Sequence, residues 1–249
     1  MIEAQNICVK IGQKTILEVT NIKIKSGKIN VILGANGAGK STLLKCLTGI
    51  NSCVGEILLD GKNLNDYSLV ELSKKRAVFS QSQSINFPFS AIEIVSLGRS
   101  PYLSNRNLKQ DQKTIEEVLR EVDGWHLKDR DFSTLSGGEQ QRIHLARVLV
   151  QIWNQKNACL FLDEPTSALD LKHQHQILQI VKKLAAKNNL TICIIMHDIS
   201  LAAFYADEVI LMKDGKILFN GEKKKKLNVQ NLSEIFDVPE NYLPHIFRN

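Results

Sequence analysis

No apolar stretch in this 249-residue chain approaches the ~20 residues that span a bilayer as a helix, so work at a membrane would need a partner that crosses it. The start, Met1-Ile2-Glu3-Ala4, lacks a basic segment leading into an apolar one, and no secretory signal is expected. The five cysteines, Cys8, Cys46, Cys53, Cys159 and Cys193, are odd in number, scattered, and never spaced C-x-x-C. That excludes a disulfide framework or zinc cluster and leaves reduced core thiols in a cytosolic protein. Aromatic residues make up 6%, and none precedes Tyr67. There is no internal repeat and no low-complexity linker. The formal charge of +6 comes partly from one run, Lys223 to Lys226, and no basic stripe is interleaved with aromatics. A solvated surface with one basic turn is expected, and no nucleic-acid partner.

What is present begins with Gly34-Ala35-Asn36-Gly37-Ala38-Gly39-Lys40-Ser41, the pattern G-x-x-x-x-G-K-S. The apolar, β-branched run Ile29 to Leu33 before it reads as a buried strand. After Lys40, Leu43, Leu44 and Leu47 share one helical face, and Gly49 stands where that helix should stop. Strand, glycine loop and helix together form a cradle for a nucleoside triphosphate with magnesium. Glycines let backbone N–H groups close on the phosphates, and the helix N-terminus adds partial positive charge. Lys40 would reach the β- and γ-phosphates, Ser41 would ligate Mg²⁺, and Thr42 follows in the helix.

Further strands are expected at Ile7 to Ile11, Ile22 to Ile24, Gly55 to Leu59 with an Asp60-Gly61 turn, Arg76 to Ser80, Cys159 to Leu162 and Thr191 to Met196. Lys213-Asp214-Gly215 signals a hairpin between Glu208 to Met212 and Lys216 to Phe219. Between about Ser82 and Gln155 the pattern is helical, with Ile115, Val118, Leu119 and Val122 at i, i+3, i+4, i+7. Leu160-Phe161-Leu162-Asp163-Glu164 is an apolar strand that ends in two carboxylates: Asp163 to hold Mg²⁺, Glu164 to polarise an attacking water. In Leu135 to Arg142, Ser136 and Glu139 form a capping box that opens a helix. Gly137 and Gly138 are costly in a first helical turn unless backbone N–H groups must approach an anion there.

Taken together these motifs resemble the nucleotide-binding subunits of ATP-binding cassette (ABC) transporters, from about Ile2 to Gly221 and in family order. The resemblance implies an α/β P-loop NTPase fold: a RecA-like parallel-sheet core, an N-terminal antiparallel β-subdomain and an inserted helical subdomain. It implies one ATPase domain over 1–249, with core and β parts in 1–81 and 156–222, the helical part with the signature motif (Leu135 to Arg142) in 82–155, and a tail at 223–249. It further implies ATP held by Gly34 to Thr42, with Ser136, Gly137, Gly138 and Glu139 contacting the nucleotide of a second copy packed head to tail. Gln81 would contact Mg²⁺ and the permease, the Ser167-Ala168-Leu169-Asp170 loop would cross the dimer interface, and His197 would contact the γ-phosphate.

The family places an early aromatic against adenine; here the matching position is near Ile11, so the base would pack on an aliphatic face. Phe87-Pro88-Phe89-Ser90 and Ile94 to Arg99 resemble importer ATPases for iron–siderophore, cobalamin and heme. Leu145 to Trp153 and Asp170 to Gln174 resemble the heme-importing branch. Two permease subunits, indirectly a periplasmic or surface ligand-binding protein, and a place on the cytoplasmic face of the inner membrane follow from that likeness. On the same likeness, no added regulatory domain of the kind some sugar importers carry is expected after Gly221. His173 and His175, at i, i+2, are expected as surface polar residues on different faces.

Overall fold

The computed structural model describes residues 1–80, 88–105, 107–167 and 169–243. Its strands are β1 (Ile2–Ile11), β2 (Lys14–Ile24), β3 (Ile29–Gly34), β4 (Val54–Leu59), β5 (Lys62–Asn63), β6 (Arg76–Phe79), β7 (Cys159–Asp163), β8 (Thr191–Ile195), β9 (Glu208–Lys213) and β10 (Lys216–Glu222). Its α-helices are α1 (Lys40–Leu47), α2 (Leu69–Lys75), α3 (Ala91–Ser96), α4 (Leu108–Glu121), α5 (Gly137–Ile152), α6 (Leu171–Asn188), α7 (Ile199–Tyr205), α8 (Lys223–Lys226) and α9 (Val229–Phe236).

Two sheets form. One is antiparallel, in the order β2-β1-β4-β5. The other runs β10-β9-β3-β8-β7-β6, parallel from β9 to β6, with β10 added antiparallel at the edge. β3, β7 and β8 are buried along their whole lengths because both faces of the parallel sheet are covered, which is why they read as continuous apolar runs. Alternate residues serve two cores. Ile32, Phe161, Ile195 and Ile210 pack with α1 (Leu43, Leu44, Leu47) and with Ile7, Leu17 and Ile24 of the antiparallel sheet. Val31, Leu33, Leu160, Leu162 and Ile194 pack with α5, α6 and the inserted helices. α1 is thereby clamped between the two sheets, which fixes the loop at its N-terminus.

The expected helix at 111–122 is α4, capped by Asn107. β1 starts five residues earlier than expected, at Ile2, because its alternation is broken at Asn6, which takes a left-handed φ of 51° at a register shift. The stretch after Gly221 carries structure that the sequence reading did not assign: α9 buries Leu232 and Ile235 against the second core. Among the described residues no helix is long and apolar enough to cross a membrane.

Candidate active site

β3 delivers the chain at its C-terminal end into residues 35–39, and α1 begins at Lys40. The turn between β9 and β10 buttresses this loop from behind. Gly215 donates its N–H to Ala38 O (3.2 Å) and accepts from Glu18 N (2.9 Å). A side chain at Gly215 would meet Ile16 O at 2.7 Å, so only glycine lets β2, the hairpin turn and the loop come this close. The loop lines a cavity of about 350 Å³ with Lys14, Ile16, Asn36, Gly37, Gly39, Lys40, Ser41, Thr42 and Glu164.

Lys40 is 5% exposed, and Nζ donates to the carbonyls of Gly34 and Ala35, 2.9 Å each. Burial holds its pKa below the usual lysine value, against the opposing pull of Glu164 and Asp163. An ammonium kept in that position invites an anion. Ser41 Oγ donates to Asp163 Oδ1 at 3.2 Å. Burial raises the Asp163 pKa, with the Ser41 hydrogen bond opposing. Two oxygen donors, one a carboxylate disfavoured by burial, suit a hard divalent cation such as Mg²⁺. The residues present therefore fit a triphosphate and its magnesium.

Glu164, one residue beyond β7, adopts φ +51°, uncommon for a residue with a side chain and stabilised here by Ser167. Ser167 donates to the Glu164 carbonyl from both its N–H (3.1 Å) and its hydroxyl (2.9 Å). Glu164 Oε1 then lies 2.5 Å from Nε2 of His197, which follows β8. The parallel strands β3, β7 and β8 thus bring Lys40, Ser41, Asp163, Glu164 and His197 to the C-terminal ends of the strands.

Other expected residues lie apart. Ser136 caps α5 in the anticipated capping box, its N–H and hydroxyl both 2.8 Å from Glu139 Oε2. Asp170 caps α6. Neither Ser136, Gly137, Gly138, Glu139 nor Asp170 is among the residues that line the Lys40 cavity. Ile11 is 69% exposed at the end of β1 and does not line it either; Lys14 and Ile16 do, and the sequence reading passed over both. Gln81, Phe87 and Ala168 lie outside the described residues. Gly98, within the Ile94 to Arg99 motif, has a clear role: a Cβ there would stand 2.1 Å from Arg147 O of α5. Arg99 reinforces the same contact, with Nε bonded to Asp111 Oδ1 (2.8 Å) and Nη1 to Val150 O (3.0 Å).

The ABC transporter family matches residues 17–167. The hemin import ATP-binding protein HmuV of Hahella chejuensis is 43% identical, over 98% of this chain and 96% of that protein. Its counterpart from Escherichia coli O157:H7 is 41% identical, over 99% and 98%. Among solved structures, an inward-facing putative metal-chelate type ABC transporter superposes with a TM-score of 0.80 at 29% identity, covering 96% of this chain and 89% of that one. A dimeric bacterial ABC transporter cassette superposes at 0.74 and 29%, covering 89% and 98%. With the P-loop, the paired carboxylates and the family match all in the same stretch, this chain belongs to the ABC transporter family.

Proposed function

We propose that this chain is the ATP-hydrolysing subunit of an importer that carries heme across the inner membrane through a partner permease. The observation that carries the reading is the likeness at 41–43% identity, end to end, to hemin import ATP-binding proteins. The chemistry is that of the site. The loop of Gly34, Ala35, Asn36, Gly37, Ala38 and Gly39 wraps the phosphates with backbone N–H groups. Lys40 supplies the buried positive charge, and Thr42 borders the same cavity. Ser41 and Asp163, with Gln81, would hold Mg²⁺, which when bound neutralises charge on the phosphates. Glu164 is the general base: it borders the cavity, and the His197 imidazole that bonds to it orients the carboxylate that takes water's proton. Loss of the γ-phosphate contacts then releases what closure had gathered.

Ser136, Gly137, Gly138, Glu139 and Asp170 stand away from this chain's own loop, which supports their use on the nucleotide of a second copy, head to tail. The dimeric cassette among the structural relatives supports the same assembly. On this reading the chain is one ATPase domain, with core and β parts in 1–81 and 156–222, a helical part in 82–155 and the end at 223–249, and it sits on the cytoplasmic face of the membrane against two permease subunits. Of the two isoleucines near the expected adenine position, Ile16 borders the cavity and Ile11 does not, so the base would meet aliphatic surface at Ile16. The likeness to a metal-chelate transporter favours iron–siderophore or cobalamin as the second cargo class.

The test joins the subunit to its permease in a bilayer and adds heme-loaded binding protein, which should accelerate ATP turnover. A loaded partner can do so only by binding the closing state better than the resting one. A deletion strain grown on heme as sole iron source should fail; normal heme use together with lost siderophore or cobalamin uptake would transfer the cargo assignment and leave the ATPase chemistry intact.

A further inference from the structure

Two glycines open α5, and one reason, close backbone approach to an anion, served for both in the sequence. Their surroundings differ. Gly137 is exposed, and a Cβ built on it meets nothing within 4 Å, so nothing in this chain demands glycine there. Gly138 is buried, and its Cβ would stand 2.5 Å from Cδ2, 2.9 Å from Cγ and 3.1 Å from Nε2 of His173.

We propose that His173 is a positioning residue: its ring, anchored on Asp170, is the stop against which the first turn of α5 seats, so that the signature turn and the Asp170 loop are presented to the second copy as one rigid surface. The inference rests on the head-to-tail reading above. Asp170 Oδ1 accepts from the His173 N–H (2.9 Å) and lies 2.7 Å from Nδ1. These hydrogen bonds hold the Asp170 pKa down. Because the approach to Gly138 includes Cγ, at the root of the ring, rotating the ring does not clear it. The seam continues one turn on, where Arg142 Nη1 donates to Gln176 Oε1 at 3.3 Å. From the other side, Gln174 Nε2 fixes the Asp170 loop through the carbonyls of Thr166 (3.3 Å) and Leu169 (3.0 Å). His173 is thus not the plain surface histidine that the sequence pattern suggested.

The experiment measures the ATP concentration for half-maximal dimer formation, by size exclusion, in full-length chains that all carry Glu164→Gln to block turnover. Gly138→Ala should raise it about tenfold or more through overpacking, and adding His173→Ala should recover most of that loss. On the glycine background, His173→Ala should raise it roughly threefold. His173→Asn should stay near the parent, because its amide keeps both the Asp170 bond and an atom in the place of Cδ2. ATP binding to each monomer should not change, since the P-loop is elsewhere; a general folding defect would depress it. Gly138→Ala dimers that are equally poor with and without His173 would overturn the proposal, because the glycine would then serve an approach from outside the chain. If Gly138→Ala does not fold, the His173→Ala and His173→Asn pair decides: equal behaviour overturns it. A parent chain that binds ATP without dimerising would overturn the head-to-tail reading, and this inference with it.

Discussion

His144 is expected to make the stability of this fold sensitive to mild acid. It lies on α5, 9% exposed, edge-on to Phe132 at 4.8 Å and to Phe79 at 6.5 Å between ring centroids. Nδ1 is buried with no hydrogen-bond partner among the described residues. Burial, helped by the charge of Arg147, lowers its pKa from 6.5 to about 4. A depressed histidine pKa means that the unfolded chain takes up the proton first. The contribution to stability is complete above pH 6.5, is lost as pH falls, and is gone below about pH 4. At ~1.4 kcal/mol per unit the whole effect is about 3 kcal/mol, of which about 2 kcal/mol is lost between pH 7 and pH 5. Against a total of ~5–15 kcal/mol this is a large share. It bears on function because Phe132 lies just before the signature turn and Phe79 just before Gln81. Urea unfolding at pH 7 and pH 5 would be compared for wild type and His144→Phe, which keeps an aromatic in place but does not titrate. The wild type should lose about 2 kcal/mol more than the variant between the two pH values. Equal losses would refute the reasoning, since every other titrating group is shared.

Glu164→Gln should leave ATP binding intact and reduce turnover by ~10²–10⁴, with the chain collecting as an ATP-bound dimer; hydrolysis within threefold of wild type would remove Glu164 as the base. Gly98→Ala should destabilise the chain by about 1–3 kcal/mol in urea unfolding, because its Cβ would stand 2.1 Å from the backbone oxygen of Arg147. An unchanged midpoint would mean that the contact between Gly98 and α5 yields freely. Ile11→Tyr should tighten ATP by about 0.5–1.5 kcal/mol, if a ring at this exposed strand end folds over the base beside Ile16; unchanged or weaker binding by titration calorimetry would separate the base from Ile11.

The fold was legible where one physical rule dominates. Strands buried on both faces can only be continuous apolar runs, so β3, β7 and β8 stood out. Two of the three hairpins among the described residues, β4–β5 and β9–β10, carry Asp-Gly turns whose two residues take positive φ, 54° and 82° at Asp60-Gly61 and 48° and 76° at Asp214-Gly215. The β1–β2 hairpin instead turns at Gly12-Gln13, and most of β2 was not expected from the sequence. α9 was missed because its eight residues carry only Leu232 and Ile235 as fully buried positions, too short a pattern to stand out. The beginning of β1 was missed for a different reason: Asn6 breaks the alternation that marks a strand.

The site divides along the same line. Lys40, Ser41, Asp163 and Glu164 are tied to their neighbours by adjacency in sequence, and motif spacing suffices to find them. The residues that complete the site are joined only through space. Ile16 borders the cavity because β2 crosses behind the loop and Gly215 lets it approach, and no local pattern in Thr15-Ile16-Leu17 carries that information. The left-handed turn at Glu164 depends on two hydrogen bonds from Ser167, a residue the sequence offered only as part of an interface loop. Gly138 and His173 are the sharpest case. A motif records that a glycine is present, not what it makes room for. A glycine kept open for a ligand and one vacated for a neighbour's ring read alike in the sequence. Only the position of His173, 35 residues further along the chain, distinguishes them.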